Sequence, residues 1–254
     1  MTALRPAERI LMGLGIERPD QIDLEAIAWA SGAVVKYRPL DECEAMIVGA
    51  ERRAIITVNS KALPVRQRFS LAHEIGHWHH HRGRVLICGA ADIGNPAHRA
   101  LDPETQADQF ASDLILPNYI IRPRIAQMKK LSLSGAREIA DEFNASVTAT
   151  LLKLADADYF PIVVVCHDRR RRRWFRRAPM VPGWWFPKDD LDAESFAFEM
   201  LFGGGAESSY PRKIGADAWF EFRNLQRYEV QEQSFLLPNE EVLTLLTLPE
   251  DGLG

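Results

Sequence analysis

Apolar and polar positions recur with two different periods along this chain, and each change of period marks an element. Asp23-Leu-Glu-Ala-Ile-Ala-Trp-Ala-Ser-Gly32 carries Leu24, Ile27 and Ala28 at helical spacing, with Asp23 placed to cap the helix and Gly32 to stop it. A short helix ending near Gly13 or Gly15 is expected before it. Three β-branched runs follow, Ala33–Tyr37, Ala45–Val48 and Ala54–Val58, separated by turn and charge signals. They predict a small antiparallel sheet of three strands. Asn59-Ser60 ends the last run, and Pro64 suits the first turn of a helix. From there Val65, Phe69, Ala72 and Gly76 keep helical spacing, and the helix should end by Gly83. Gly76 lacks a Cβ, which lets a neighbouring element approach closely.

Residues 84–103, punctuated by Gly89, Gly94, Pro96 and Pro103, read as a loop. Helices are expected over about 104–116, 118–129, 134–143 and 146–156. The last two have a helix-turn-helix rhythm, but no basic face accompanies them, so ordinary core packing is the preferred reading. The pattern changes near Asp158. Phe160–Cys166, Arg171–Arg177, Ala218–Phe222, Gln226–Ser234 and Glu241–Leu248 are strand-like. The expected organisation is α+β, with one domain over 1–158 and a smaller, mixed α/β lobe over 159–254, a sensory or partner-binding candidate.

Composition narrows the class without changing that picture. With 254 residues, 46% apolar and 26% charged, the chain is an ordinary globular protein of one or two domains. Its net charge of −4 gives no global argument for nucleic acid or anionic membrane as partner. Cys43, Cys88 and Cys166 are few, odd in number and form no C-x-x-C pair, so neither a disulfide framework nor a thiolate zinc site is suggested. The N-terminus lacks a basic-then-apolar leader, and no stretch approaches the roughly 18 apolar residues of a membrane span. A cytoplasmic location is expected, and no membrane partner. Nothing in the pattern sets an oligomeric state.

The chemistry is concentrated in Phe69-Ser-Leu-Ala-His-Glu-Ile-Gly-His-Trp-His-His-His81. His73-Glu74-x-x-His77 is an H-E-x-x-H pattern on the predicted helix. Residues four apart lie on one face, so His73 and His77 can address one metal ion, with Glu74 beside it to take a proton from water. A catalytic zinc needs three protein ligands and an open position. His80, His81 and His98 compete with Glu104 for the third place. The metzincin continuation fails, because it needs Gly at 80 and His at 83, where this chain has His80 and Gly83. His80 shares the helix of the first two ligands and cannot easily reach round the ion. Glu104 begins a second helix, with Asp108 four positions on and on the same face. Glu104 is therefore the preferred third ligand, and Asp108 the preferred acceptor behind a ligand imidazole. Two His and a carboxylate suit Zn2+ and also Mn2+.

These segments together resemble the ImmA/IrrE family of bacterial and phage metallopeptidases, gluzincin-like enzymes with H-E-x-x-H and a downstream Glu. The resemblance rests on Gln67-Arg-Phe-Ser-Leu-Ala-His-Glu-Ile-Gly-His77, on Glu104-x-x-Ala107-Asp108-x-Phe110-Ala111, and on Leu114-Ile-Leu-Pro117. Asp23–Ala28 and Phe143–Val147 fit the flanking helices, so it covers about 20–155. It implies a zincin-like catalytic domain, His73, His77 and Glu104 as ligands, Glu74 as catalytic base, and zinc as cofactor. Asp108 stands where many members have Asn. It further implies a protein substrate, a helix-turn-helix repressor cut in a stress, phage or mobile-element response. The second lobe matches the family much less clearly.

One feature stays outside that expectation, the run Arg169-Arg-Arg-Arg-Arg-Trp-Phe-Arg-Arg177. The preferred reading is a hairpin turn at 167–170 followed by a solvated edge strand, whose arginines discourage edge-to-edge pairing. Docking of an acidic partner through Arg169, Arg171, Arg173 and Trp174 comes second. Nucleic-acid binding by the same residues comes third. The competing function is a non-catalytic regulator that keeps the metal as structure and acts through its second lobe.

Overall fold

Strands β1 (Ala33–Arg38), β2 (Cys43–Ala50) and β3 (Arg53–Asn59) form where the β-branched runs lie, and their inner face alternates as the pattern requires. Ala45 and Ile47 on β2 and Ala54, Ile56 and Val58 on β3 are buried. The computed structural model describes residues 4–50, 52–81, 103–221 and 227–253, together with the backbone of 86–89. Its fold is α+β, with two sheets and α-helices α1 to α8 among the described residues.

The first sheet differs from expectation in two ways. It has four strands in the order β1-β3-β2-β4, because Leu86–Gly89, expected as loop, pairs antiparallel with β2 as β4. It is also not wholly antiparallel, since β1 runs parallel to β3. The short link 39–42 passes the end of β3, where the Asn59 side chain holds it. Asn59 Nδ2 donates to the carbonyls of Leu40 (3.0 Å) and Cys43 (3.3 Å), and Oδ1 accepts from the Leu40 amide (3.2 Å). β3 therefore lies between β1 and β2.

Helix α3 (Pro64–His80) starts with Pro64 in its first turn and packs on β2 and β3. α2 (Leu24–Ala30) is capped by Asp23, whose carboxylate accepts from the amides of Glu25 and Ala26. α4 (Pro103–Ile115) packs along α3, and α1 (Pro6–Gly13) packs on α4. Buried Glu8 of α1 accepts from the Arg5 amide (2.9 Å) and the Asn118 amide (2.7 Å), which ties α1 to the start of α5 (Asn118–Ile125).

Contacts divide the chain into two units, residues 1–124 with 140–146 and residues 125–139 with 147–254. The contact boundary thus falls ahead of residue 158 and inside α5 and α6 (Leu133–Glu142). The reason is local: α7 (Val147–Asp156) packs on β5 (Ile162–His167) and β6 (Arg172–Arg177) of the second unit.

The second unit holds a five-stranded sheet in the order β6-β5-β9-β8-β7, antiparallel throughout. β7 is Arg212–Gly215, β8 is Glu229–Leu237 and β9 is Glu241–Thr247. All of β5 is buried. α8 (Phe196–Gly203) packs on β8 and β9 and was not expected from the sequence. Ser195 caps it through the Phe198 amide, and Gly204, at φ +71°, ends it in the left-handed region. Buried Glu232 on β8 accepts from the Ala197 amide (2.7 Å) at the start of α8, from the Trp219 indole (2.8 Å) and from the Ser234 hydroxyl (3.0 Å). The strand expected over Ala218–Phe222 is instead a 3-10 turn at Ala216–Ala218 and a single bridge between Phe220 and Pro187; Phe222 lies outside the described residues.

Candidate metal centre

The spacing of α3 sets the site. His73, Glu74 and His77 fall on the part of the helix that runs between the sheet and α4, and all three are fully buried. His73 and His77 are one turn apart, and their Nε2 atoms approach to 2.9 Å.

The third group comes from the first turn of α4. Glu104 Oε2 lies 3.2 Å from His73 Nε2, and Oε1 lies 3.4 Å from His77 Nε2. What brings it there is the close approach of α4 to α3 at Gly76. A Cβ on Gly76 would stand 3.0 Å from Ala107 Cα, 3.1 Å from the Ala107 carbonyl oxygen and 3.1 Å from Phe110 Cβ. The expected role of Gly76 is thereby met.

Asp108, one turn along α4 from Glu104, accepts the Nδ1–H of His73 at 2.8 Å. That bond fixes the tautomer, so the Nε2 lone pair of His73 faces the cluster. One ligand atom from each of His73, His77 and Glu104 lies within 4.8 Å of the other two. No other group of this kind occurs among the described residues.

The electrostatics favour a cation. Burial opposes charging the His73 imidazole, yet its bonds to Asp108 and Glu104 outweigh burial and raise its pKa to about 9. The bonds from His73 and then His77 hold the Glu104 carboxyl far below the usual carboxylate range. Two imidazole nitrogens and a carboxylate, with their second nitrogens and neighbours already engaged, are a donor set that fits zinc.

The other histidines fall differently. His79 and His80 are exposed and lie against the Phe110 ring, outside the cluster. His98 lies outside the described residues. His81 also lies outside the group, but its Nδ1 lies 3.3 Å from Nδ1 of His77. The sequence placed His81 among the candidates for third ligand and not behind His77, although the four-residue step from His73 to His77 continues to His81.

Comparison with known proteins adds a family. Residues 28–155 match the model of the IrrE N-terminal-like domain, a peptidase family. The chain belongs to that family. It is 28% identical over 120 residues to the radiation response metalloprotease IrrE of Deinococcus radiodurans, covering 44% of this chain and 34% of that protein. Against the IrrE of Deinococcus deserti the identity is 29% over 120 residues, covering 44% and 40%. The match thus spans well under half of either relative. In fold, the chain is similar to a Mycobacterium tuberculosis transcriptional regulator, with a TM-score of 0.58 over 96% of this chain and 86% of that one. At 13% identity that likeness concerns the fold alone.

The arginine run lies in the second unit, away from these residues in sequence. Asp168 Oδ1 accepts the amides of Arg170 and Arg171 and closes the turn into β6, which is an edge strand. Arg169 pairs with Glu240 at 3.3 Å, and Arg173 with Asp168 at 3.6 Å and Glu241 at 3.8 Å. Arg171 is exposed and Trp174 half-buried. Arg172 sits over the rings of Phe175 and Phe186 and donates to the carbonyls of Pro187 and Lys188.

Proposed function

We propose that this protein is a zinc-dependent endopeptidase, with a zincin-like first domain, that cleaves a helix-turn-helix transcriptional repressor and so relieves repression in a stress, phage or mobile-element response. The observation that carries the reading is the convergence of His73, His77 and Glu104 with Asp108 behind one imidazole and Glu74 beside it. Family membership supports it, and so do the metalloprotease relatives.

His73, His77 and Glu104 would hold the ion, which when bound acts as a Lewis acid toward the attacking water and the scissile carbonyl. Mn2+ fits the same donors as the second choice. Glu74 then has the general-base role: its carboxylate takes the proton of the attacking water and returns it to the leaving amine. Asp108 keeps the His73 ring in one tautomer and one orientation throughout. Burial of Glu74 excludes bulk solvent from that proton path. An extended substrate could pair with an edge of the first sheet, whose end strands among the described residues are β1 and β4.

The test uses purified chain, zinc and each helix-turn-helix protein that the neighbouring reading frames are found to encode, with products read by mass spectrometry. One discrete cut, lost with a chelator and restored by zinc, is the expected result. An uncut repressor that nevertheless binds the chain would favour the non-catalytic regulator instead.

A further inference from the structure

We infer that His81 is a positioning residue for the metal centre, holding His77 as Asp108 holds His73. The inference rests on the metal-site reading above and extends it to a residue outside the motif.

Each ligand imidazole needs its second nitrogen engaged if its ring and tautomer are to be fixed. For His73 the partner is Asp108, reached across from α4. For His77 it comes from its own helix. His81 stands one turn beyond, and its Nδ1 lies 3.3 Å from His77 Nδ1, with ring centroids 5.5 Å apart. The backbone prepares that contact: the His81 amide donates to the His77 carbonyl at 2.8 Å as the cap of α3. With φ −129° and ψ 34°, His81 has already left the helical conformation, which turns its ring back toward the preceding turn. His77 then donates its Nδ1–H, His81 Nδ1 accepts, and the Nε2 lone pair of His77 faces Glu104 and His73. His73, His77 and His81 thus form one ladder at four-residue steps, two ligands and one orienter.

The two arms are unequal in kind. Asp108 is a carboxylate and raises the electron density of His73, while His81 accepts through a neutral ring. His81 therefore supplies orientation more than charge. An amide oxygen at the same place should serve, whereas a ring without an acceptor should not.

The experiment compares His81→Phe, which keeps a planar aromatic ring but has no acceptor, with His81→Asn, whose Oδ1 stands where Nδ1 stood. Zn2+ affinity is read by chelator competition, and ligand geometry by the visible spectrum of the Co2+ form. His79→Ala serves as a control for loss of a neighbouring imidazole, and His73→Ala as the ligand deletion. H81F should bind Zn2+ roughly tenfold or more weakly, with an altered Co2+ spectrum, while H81N stays close to the unaltered chain. Unchanged affinity and spectrum in H81F, alongside loss in H73A, would overturn the role of His81 alone. So would an H81N as weak as H81F. Failure of the unaltered chain to take up Zn2+, or full affinity in H73A, would overturn the metal-site reading and this inference with it.

Discussion

At the level of single residues, the proposed metal site would depend on what stands behind each imidazole as much as on the imidazoles themselves. Asp108 shows this most plainly. It accepts the Nδ1–H of His73 at 2.8 Å, and an asparagine could accept the same bond through Oδ1 without the charge. Asp108→Asn should therefore keep zinc affinity within several-fold, whereas Asp108→Ala should lose about 10- to 100-fold, measured by chelator competition. Equal losses in the two variants would mean that charge, not orientation, is what Asp108 supplies. Helical spacing paired His73 with His77 and Glu104 with Asp108 in the sequence, and the expectation that the two pairs meet rested on metal-ligand chemistry and on the family resemblance; the structure brings these four side chains together. His81 was weighed only as a third ligand and not as a partner of His77, since whether its imidazole points back or outward depends on how the helix ends. The end of α3 is set by the cap at His81 itself, which periodicity does not encode.

At the level of elements, the pairing of α3 with α4 turns two half-sites into one. Gly76 permits it, with Ala107 and Phe110 at 3.0–3.1 Å from where a Cβ would stand. Gly76→Val should force the helices apart and destabilise the first unit by about 1–3 kcal/mol, beyond any gain in helix propensity. Because Glu104 rides on α4, zinc affinity should fall in parallel, which urea unfolding with and without zinc would reveal as a loss of metal-induced stabilisation. A variant destabilised but with unchanged zinc affinity would separate the helix contact from the site. Most elements followed from pattern, and the exceptions have specific causes. Phe196-Ala-Phe-Glu-Met-Leu-Phe202 is apolar nearly all round, so α8 has no periodicity to read; its only local signals are the Ser195 cap and the glycines that follow. The parallel pairing of β1 with β3 is accompanied by side-chain bonds of Asn59 to Leu40 in the link 39–42, a non-local arrangement that strand propensity does not contain. Where a strand was predicted over Ala218–Phe222, a 3-10 turn ends at Ala218 and Phe220 makes a single bridge, while Trp219 turns in to donate to Glu232.

At the level of the whole molecule, the chain holds two compact units with different sensitivities. The first carries the residues of the family motif, and among the described residues no helix is long and apolar enough to cross a membrane. The second carries buried His167 on β5, 1% exposed, whose ring meets Trp219 edge-on and whose Nε2 lies 3.4 Å from the Lys188 carbonyl. Burial lowers its pKa to about 4, with Arg172 adding to the effect; the Lys188 carbonyl, Asp189 and Asp168 oppose it. The folded state thus prefers the neutral ring. Above the unfolded value near 6.5 its contribution is complete, and it is lost as pH falls from there toward 4. The loss should reach about 3 kcal/mol, read as a falling urea midpoint in tryptophan fluorescence between pH 7 and pH 4. Trp174, Trp184, Trp185 and Trp219 report on this unit. His167→Phe should flatten that slope, and an unchanged slope would assign the acid sensitivity to other groups.

The most direct measurement on the central claim is Glu74→Gln, assayed for both metal content and repressor cleavage. Glutamine is isosteric and cannot accept the proton, while the ligands His73, His77 and Glu104 are left in place. The variant should hold zinc as the unaltered chain does and cleave roughly 10²- to 10⁴-fold more slowly. A zinc-loaded E74Q that cleaves the repressor at the full rate would contradict the assignment of Glu74 as base and the peptidase mechanism built on it.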